Sequence, residues 1–183
     1  GVRTCALPIS LAEAAAGLKT GMPDDEDTYY GPLNNVDQLA RVTGMVDRLP
    51  DHAEVRTGGA RVGEAGYFYA PTVLSGLRQD DEQIQTEIFG PVMTVQRFGD
   101  EAEALRFANG VPYGLASSLW TADHGRAMRM SKRLDFGVVW INTHIPFVSE
   151  MPHGGFKQSG LGRDLGLAAM EGYTELKNIY VGE

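Results

Sequence analysis

The side chains able to do chemistry in this sequence of 183 residues do not form a complete catalytic group. The four histidines, His52, His124, His144 and His153, never recur at the i, i+3 or i, i+4 spacing that places two imidazoles on one face of a helix. We therefore expect no metal site. The single cysteine, Cys5, has no recognisable base near it in the sequence, so we interpret it as an unreactive thiol rather than a nucleophile.

Three glycines, Gly160, Gly162 and Gly166, have a spacing similar to that of a dinucleotide-binding loop. Such a loop follows a strand and opens the helix of an early βαβ unit, whereas these glycines follow an irregular segment near the end of the chain. The sequence therefore favours a tight turn that needs glycine backbones.

Glu87 is the carboxylate whose surroundings are most unusual. It is followed by Ile88 and Phe89 and then by Gly90-Pro91, which places one charge beside apolar groups at the entrance of a predicted sheet. From the residue types alone, a structural salt bridge and a contact with a ligand are equally good interpretations.

The elements that must position these residues are clearest after Pro91. In order, they are a strand at 92–98, a helix opened by Asp100 with Glu103 three residues later, a strand at 115–121, a helix at 127–134 and a strand at 138–142. Alternating strands and helices with short links predict an α/β fold with parallel βαβαβ pairing.

The rest of the chain carries weaker patterns. Ser10 and Glu13 have the spacing of a capping box, which predicts a helix at 11–19, and apolar periodicity predicts a second helix at 35–49. Extended segments are expected at 55–57 and 67–74, a short helix at 165–171 and a β-prone end at 173–181. The Gly-rich segment 144–166 is too long for a simple connector, and loops of that length are usually functional.

Composition excludes several classes of partner. The net charge of −8 opposes binding to nucleic acid or to anionic lipid, because both are bound by clustered Lys and Arg. No stretch approaches the roughly 20 apolar residues that cross a bilayer, and the first residues lack the pattern of a secretory signal. We therefore expect a cytoplasmic protein with no membrane partner.

Five segments resemble motifs of the aldehyde dehydrogenases, in the order and at the spacing of that family. They are TEIFGPV at 86–92, YGLA at 113–116, GVVWIN at 137–142, PHGGFKQSG at 152–160 and YTELKNIYV at 173–181. The resemblance covers the chain from about Ser10 to its end and implies the catalytic-domain fold of that family.

The resemblance also implies a reaction and a cofactor, NAD or NADP. In the family, a cysteine thiolate attacks a small aldehyde, a hydride passes to the nicotinamide, and a glutamate-activated water releases the carboxylic acid. By motif, Glu87 would accept hydrogen bonds from the nicotinamide ribose, and Phe89 and Leu115 would hold the nicotinamide end. Phe147 and His153 fall where the family lines its substrate tunnel.

The chain also departs from the family. The nucleophilic cysteine of the family lies upstream of the region that this sequence resembles, and Cys5 has neither the right context nor the right spacing, so no catalytic residue is assigned. Residues 1–9 match no family motif and resemble a translated sequencing-library adapter, so we interpret them as a non-family leader and an artefact. Residues 10–172 are expected to form a partial catalytic domain and residues 173–183 an oligomerisation strand that joins subunits of a homo-oligomer.

The sequence gives a narrower expectation about the substrate. The segment 142–153 most resembles the aminobutyraldehyde and betaine-aldehyde branch, whose substrates carry an amine or ammonium group that Glu150 would complement. Two functions of another class stay open: a noncatalytic assembly module that uses the C-terminal strand, and a stand-alone nucleotide-binding protein. The second lacks a phosphate-binding loop in a βα setting.

Overall fold

The computed structural model describes residues 6–183, and Cys5 lies outside this range. The chain divides into two compact units, Gly1–Arg97 and Phe98–Glu183, which are called the first and second units below. No helix among the described residues is long and apolar enough to cross a lipid bilayer.

Within its described residues, 6–97, the first unit contains three helices and a three-stranded mixed sheet. The helices are α1 (Ala6–Ala16), α2 (Val36–Asp47) and α3 (Glu82–Gln85), and the strands are β1 (Glu54–Thr57), β2 (Thr72–Ser75) and β3 (Val92–Val95). The strand order is β1-β2-β3, with β1 antiparallel and β3 parallel to the buried central strand β2.

Helix α2 supplies four buried residues to the core of the first unit. Its buried residues, Leu39, Val42, Met45 and Val46, recur at helical spacing and pack with Tyr69 and Ile88. The Asn35 side chain caps the helix by accepting a hydrogen bond from the Gln38 amide at 2.8 Å. The predicted helix at 35–49 is thus confirmed, with slightly shorter bounds.

The start of α1 differs from the prediction. The helix begins at Ala6, so Ser10 and Glu13 lie inside it and do not form a capping box at its start. Pro8 occupies the first turn, where a missing amide proton costs nothing, and the alanine-rich sequence that follows favours helix. The predicted boundary between residues 9 and 10 therefore falls within α1.

The second unit contains three helices and two small sheets. Its elements are α4 (Glu101–Asn109), β4 (Tyr113–Gly114), β5 (Ala116–Leu119), α5 (His124–Ser131), β6 (Val138–Ile141), β7 (Phe156–Lys157) and α6 (Gly166–Gly172). Strands β5 and β6 are parallel and joined through α5, and β4 is antiparallel to β7. The parallel portions of the α/β fold are therefore β2–β3 in the first unit and β5–β6 in the second.

Acidic residues cap two helices of the second unit, α4 and α5. Asp100 accepts a hydrogen bond from the Glu103 amide at 2.8 Å, as the sequence predicts for α4. Asp123 does the same for the Arg126 amide at 3.0 Å, so α5 begins at His124, three residues earlier than its apolar pattern indicates.

The C-terminal segment, residues 174–183, is assigned to no helix or strand and is exposed throughout. The β-prone residues predicted at 173–181 therefore have no strand partner within the described chain. Their role in joining subunits stays a prediction.

Candidate cofactor and substrate sites

The segment Glu87–Phe89 connects α3 to β3 and has an unusual conformation. Ile88 is buried in the core, whereas Glu87 and Phe89 are exposed, Phe89 to 71%. Phe89 has a φ of 57°, in the left-handed region that an aromatic residue rarely adopts. An outlier of this kind indicates that surrounding contacts impose the conformation.

Those contacts come from helix α2. The Gln38 side-chain amide donates hydrogen bonds to the carbonyl oxygens of Ile88 at 3.0 Å and Phe89 at 2.6 Å. The Arg41 guanidinium donates to the carbonyl oxygen of Glu87. Sequence reasoning missed both residues, although each is a polar side chain next to the apolar stripe of α2.

Gly90 allows the backbone to approach α2 closely. A Cβ atom at this position would lie 2.6 Å from Cγ2 of Val42, which is fully buried. The glycine of the TEIFGPV segment is therefore required by packing against α2.

The Glu87 carboxylate is free to bind a ligand. Among residues 6–183 it has no hydrogen-bond donor and no ion-pair partner, so the salt-bridge interpretation has no support within the described chain. A free carboxylate offers two acceptor oxygens, which suit a pair of hydroxyl groups.

The acidic residues just upstream behave differently. The Asp81 carboxylate accepts a hydrogen bond from the Arg78 amide at 2.6 Å and lies 2.8 Å from Nε2 of His52, and Glu82 pairs with Arg48 at 2.9 Å. Burial raises the pKa of Asp81, but the hydrogen bonds from Arg78 and His52 outweigh it and bring the pKa below 3.8. Unlike Glu87, Asp81 is therefore held by partners within the chain.

Leu115 lies in the second unit, between β4 and β5. Its side chain is 46% exposed, and its carbonyl oxygen accepts a hydrogen bond from the Val138 amide at 3.2 Å. The side chain is thus available for an apolar contact, and its assignment to the nicotinamide stays a prediction.

Phe147 and His153 come together in the second unit. Their rings meet edge to face, with centroids 4.8 Å apart, and Trp140 lies 5.7 Å from Phe147. The Trp140 indole is fixed by a hydrogen bond to the carbonyl oxygen of Pro146 at 3.0 Å. His144 lies 5.2 Å from Trp140, and its Nδ1 atom is 2.6 Å from the Ser118 hydroxyl.

This aromatic cluster, Trp140, His144, Phe147 and His153, contains two residues that sequence reasoning did not connect with a site, Trp140 and His144. Trp140 lies at the third position of β6, and the cluster extends along the loop that follows. The signal available in the sequence was that these four aromatic residues lie within 14 positions of one another. The cluster combines aromatic rings with imidazole nitrogens, a combination that can contact a small organic molecule.

The Gly-rich segment is held in place by Lys157. Its ammonium donates hydrogen bonds to the carbonyl oxygens of Asn109 at 3.0 Å and Val111 at 3.1 Å, just where α4 ends. Asn109 in turn donates to the Arg133 carbonyl at 2.8 Å and accepts from the Asp135 amide at 2.9 Å. These bonds tie the loop to the ends of α4 and α5.

The three spaced glycines have the positive φ values that favour glycine. Gly160, Gly162 and Gly166 have φ values of 145°, 79° and 59°. The prediction that these positions need glycine backbones is therefore confirmed, but Gly166 begins helix α6 and does not lie in a turn. Among residues 6–183, no three histidine, cysteine, aspartate or glutamate side chains are grouped so that they could hold a metal ion.

Comparison with known proteins gives a consistent result. Residues 7–179 match the aldehyde dehydrogenase family model. An aldehyde dehydrogenase of Emericella nidulans is 43% identical over 169 residues, which are 92% of this chain and 34% of the relative. A betaine aldehyde dehydrogenase of Bacillus subtilis is 39% identical over 175 residues, 93% of this chain and 36% of the relative.

Solved structures agree with the sequence relatives. The NAD+ complex of an aldehyde dehydrogenase from Bacillus cereus has a TM-score of 0.90 and 37% identity, and the match covers 94% of this chain and 35% of that one. The chain thus spans about a third of the length of the relatives that it matches. These matches confirm the resemblance found in the sequence motifs, and the chain belongs to the aldehyde dehydrogenase family.

Proposed function

We propose that this chain works as the C-terminal part of an NAD(P)-dependent aldehyde dehydrogenase, which oxidises a small aldehyde to a carboxylic acid. The observation that carries the proposal is the free, exposed Glu87 carboxylate beside the exposed Phe89 ring, on a backbone fixed by α2. The share of the relatives' length, about a third, supports a role within a longer protein.

The residues present fit the nicotinamide end of the cofactor. The two oxygens of Glu87 are acceptors without a donor from the described chain, and a ribose offers two neighbouring hydroxyl donors. Phe89 presents an aromatic ring with most of its surface uncovered, which suits contact with a flat heterocycle. When bound, the cofactor would accept the hydride that leaves the aldehyde carbon.

The aromatic cluster would bind the aldehyde. Phe147 and His153 would contact its organic part, and Trp140, which meets the Phe147 ring edge to face, would help to fix that ring. Within the family we propose an amino-aldehyde or ammonium-aldehyde substrate, because the loop sequence resembles that branch and the exposed Glu150 carries a complementary charge. Aromatic faces also attract ammonium groups.

The nucleophile would come from the remainder of the longer protein, so the 183-residue chain alone should not oxidise aldehydes. We use the term full-length enzyme for the longer protein in which we propose that this sequence forms the C-terminal third. The test incubates the purified chain, and separately the full-length enzyme, with NAD or NADP and a panel of small aldehydes. Reduced cofactor should appear with the full-length enzyme only. Turnover by the chain alone that is lost in Cys5→Ser would overturn the proposal, as would an inactive full-length enzyme.

A noncatalytic assembly module is the second candidate. It is favoured by the exposed apolar side chains of the C-terminal segment, among them Leu176 at 104% and Tyr180 at 90% exposure. The two candidates differ in cofactor binding, since an assembly module within a longer protein would bind no nicotinamide nucleotide. We further propose that the enzyme is a cytoplasmic homo-oligomer, which cell fractionation and sedimentation would test.

A further inference from the structure

We propose that the first unit contains a binding site for a small oxyanion, a phosphate or a carboxylate, in the cavity at the carboxyl ends of β2 and β3. Two guanidinium groups, those of Arg56 and Arg97, line this cavity. The site lies at the opposite end of β3 from the segment Glu87–Phe89. The inference does not require that the protein oxidises aldehydes.

The cavity has the position at which open α/β sheets bind ligands. Strands β2 and β3 are parallel, and their last residues, Ser75 and Val95, lie side by side. These two residues line the cavity together with the residues that follow them, 76–77 and 96–97, and with Pro8 and Arg56. In such sheets, ligands bind outside the carboxyl ends of the parallel strands, where the chain leaves the sheet.

The size and charge of the cavity suit an anion. Its volume is about 420 Å³, which leaves room for a small oxyanion, since one water molecule occupies about 30 Å³ in the liquid. None of the described residues that line it is acidic, so Arg56 and Arg97 meet no carboxylate in the cavity wall. Two positive groups at one cavity repel each other, and an oxyanion that bonds to both would remove that repulsion.

Arg56 is held by partners that leave it able to bind an anion. Its Nε atom donates a hydrogen bond to the Ser75 hydroxyl at 2.6 Å, and its Nη2 atom lies 3.0 Å from the carboxylate of Glu54, which is 59% exposed. A guanidinium carries donors on all three nitrogens, so donors remain for a ligand. Ser75 is only 5% exposed, and because its hydroxyl accepts from Arg56, its own proton can be donated to an anion.

The two chain segments that leave the sheet are held around the cavity. The Gln96 side-chain amide donates to the Leu77 carbonyl at 3.5 Å, which links the end of β3 to the end of β2. Gly76 has a φ of 80°, and a Cβ atom there would lie 2.8 Å from the carbonyl oxygen of His52, so the turn after β2 requires glycine. The backbone on both sides of the cavity therefore follows a defined path.

Protection of individual arginines tests the site in the wild-type protein. Phenylglyoxal modifies guanidinium groups, and mass spectrometry of peptides gives the modification rate at each arginine. The full-length enzyme, freed of nucleotide, is treated in sodium phosphate, acetate or chloride at equal ionic strength. With phosphate or acetate at twice its Kd, modification of Arg56 and Arg97 should be about threefold slower than in chloride, by mass action. Arg48, which is exposed in the same unit and does not line the cavity, should react equally in all three salts.

A variant then tests the role of the charge. Arg97→Met should raise the calorimetric Kd for phosphate, or for acetate if acetate alone protects, by about tenfold or more, because a charge-assisted bond is lost. Arg48→Met is the matched control and should leave that Kd within about twofold of the wild type.

Protection by phosphate alone would identify a phosphate as the ligand, and protection by acetate alone would identify a carboxylate. Equal modification of Arg56 and Arg97 in all three salts would overturn the site, as would equal Kd values for the Arg97→Met and Arg48→Met variants. The protection experiment uses the wild-type protein, so it decides the question even where a variant fails to fold.

Discussion

The ring of Phe147 meets the ring of His153 edge to face, with centroids 4.8 Å apart and planes at 87°. This geometry is the favourable one for two aromatic rings, because the positive edge of one faces the negative face of the other. His153 is also fixed through its backbone, which exchanges two hydrogen bonds of 2.7 Å with Asp164. The backbone pairing of His153 with Asp164 therefore helps to fix the Phe147 ring, which lies in an otherwise exposed loop.

Removing the Phe147 ring should weaken binding of the aldehyde. An aromatic contact with the organic part of the aldehyde is worth about 0.5–1.5 kcal/mol, so Phe147→Ala in the full-length enzyme is expected to raise KM for the aldehyde by roughly two- to tenfold. Cofactor affinity should not change. Steady-state kinetics at saturating cofactor measure this. Phe98→Ala, at an exposed phenylalanine of the same unit, is the control. Equal KM values for the two variants would show that Phe147 does not contact the aldehyde.

Replacing Glu87 should weaken binding of the cofactor and leave binding of the aldehyde unchanged. Glu87→Gln keeps the size but removes a charge-assisted contact to ribose, worth about 1.5–3 kcal/mol. Cofactor affinity should fall by at least tenfold while the melting temperature stays the same, because the carboxylate has no partner within the described chain. Glu64→Gln, at another exposed glutamate, is the control. A variant that unfolds yet keeps its kinetics would show that Glu87 is structural.

Local signals predicted much of the fold. The cap at Asp100 and the apolar period of α2 each depend on residues within a few positions of one another, and both are confirmed. The pairing of β2 with β3 depends on segments 20 residues apart, and no local pattern indicates it. Helix α1 was misplaced because the capping pair at Ser10 imitates a start signal inside a sequence that is helical already.

The same distinction applies to the candidate sites. Glu87 and Phe89 were found through a contiguous motif, but Gln38, which donates to the carbonyls of Ile88 and Phe89, lies 50 and 51 residues before them. Lys157 likewise acts on carbonyls 46 and 48 residues away. A hydrogen bond from a side chain to a distant backbone carbonyl produces no periodic pattern in the sequence. Such bonds are therefore seen only in the folded structure.

Lys157 should stabilise the second unit. Lys157→Met leaves two carbonyl oxygens at the end of α4 without their donor, which costs about 1–3 kcal/mol in the free energy of unfolding. Urea denaturation of the chain followed by circular dichroism measures the loss. Lys132→Met, at an exposed lysine of the same unit, should change the free energy of unfolding by less than about 0.5 kcal/mol. Equal stability of the two variants would contradict the role given to Lys157.

Tyr69 should make the chain sensitive to alkaline pH. Burial, with a smaller contribution from the charge of Asp47, raises the pKa of the Tyr69 hydroxyl from 10.0 to about 12. The unfolded chain ionises first, so stability is intact below pH 10 and falls, by on the order of 2 kcal/mol, as the pH rises from 10 towards 12. The hydroxyl is buried and has no hydrogen-bond partner in the described chain.

Tyr69→Phe should therefore remove part of the alkaline loss and be neutral or stabilising at pH 7. Thermal unfolding from pH 7 to pH 11 measures both effects. Tyr30→Phe is the control, because the Tyr30 hydroxyl donates a hydrogen bond to the Tyr69 carbonyl at 2.7 Å and its loss should destabilise the chain at pH 7. A Tyr69→Phe chain that loses stability at pH 7 would show that the hydroxyl has a partner.

The last prediction concerns residues 173–183 as an intersubunit strand. Ile179, Tyr180 and Val181 are β-prone, yet they are 73%, 90% and 84% exposed and make no strand pairing within the described chain. An unpaired β-prone segment attracts another strand, so the chain alone should self-associate in light scattering, and the full-length enzyme should form dimers or tetramers. Ending that enzyme at Gly172 should reduce its sedimentation coefficient to that of a smaller oligomer, and Ile179→Pro, which removes one backbone donor, should act in the same direction. Asn178→Ser changes a side chain and keeps every backbone donor, so it serves as the control. An oligomer of unchanged size after the truncation would show that the subunits are joined elsewhere.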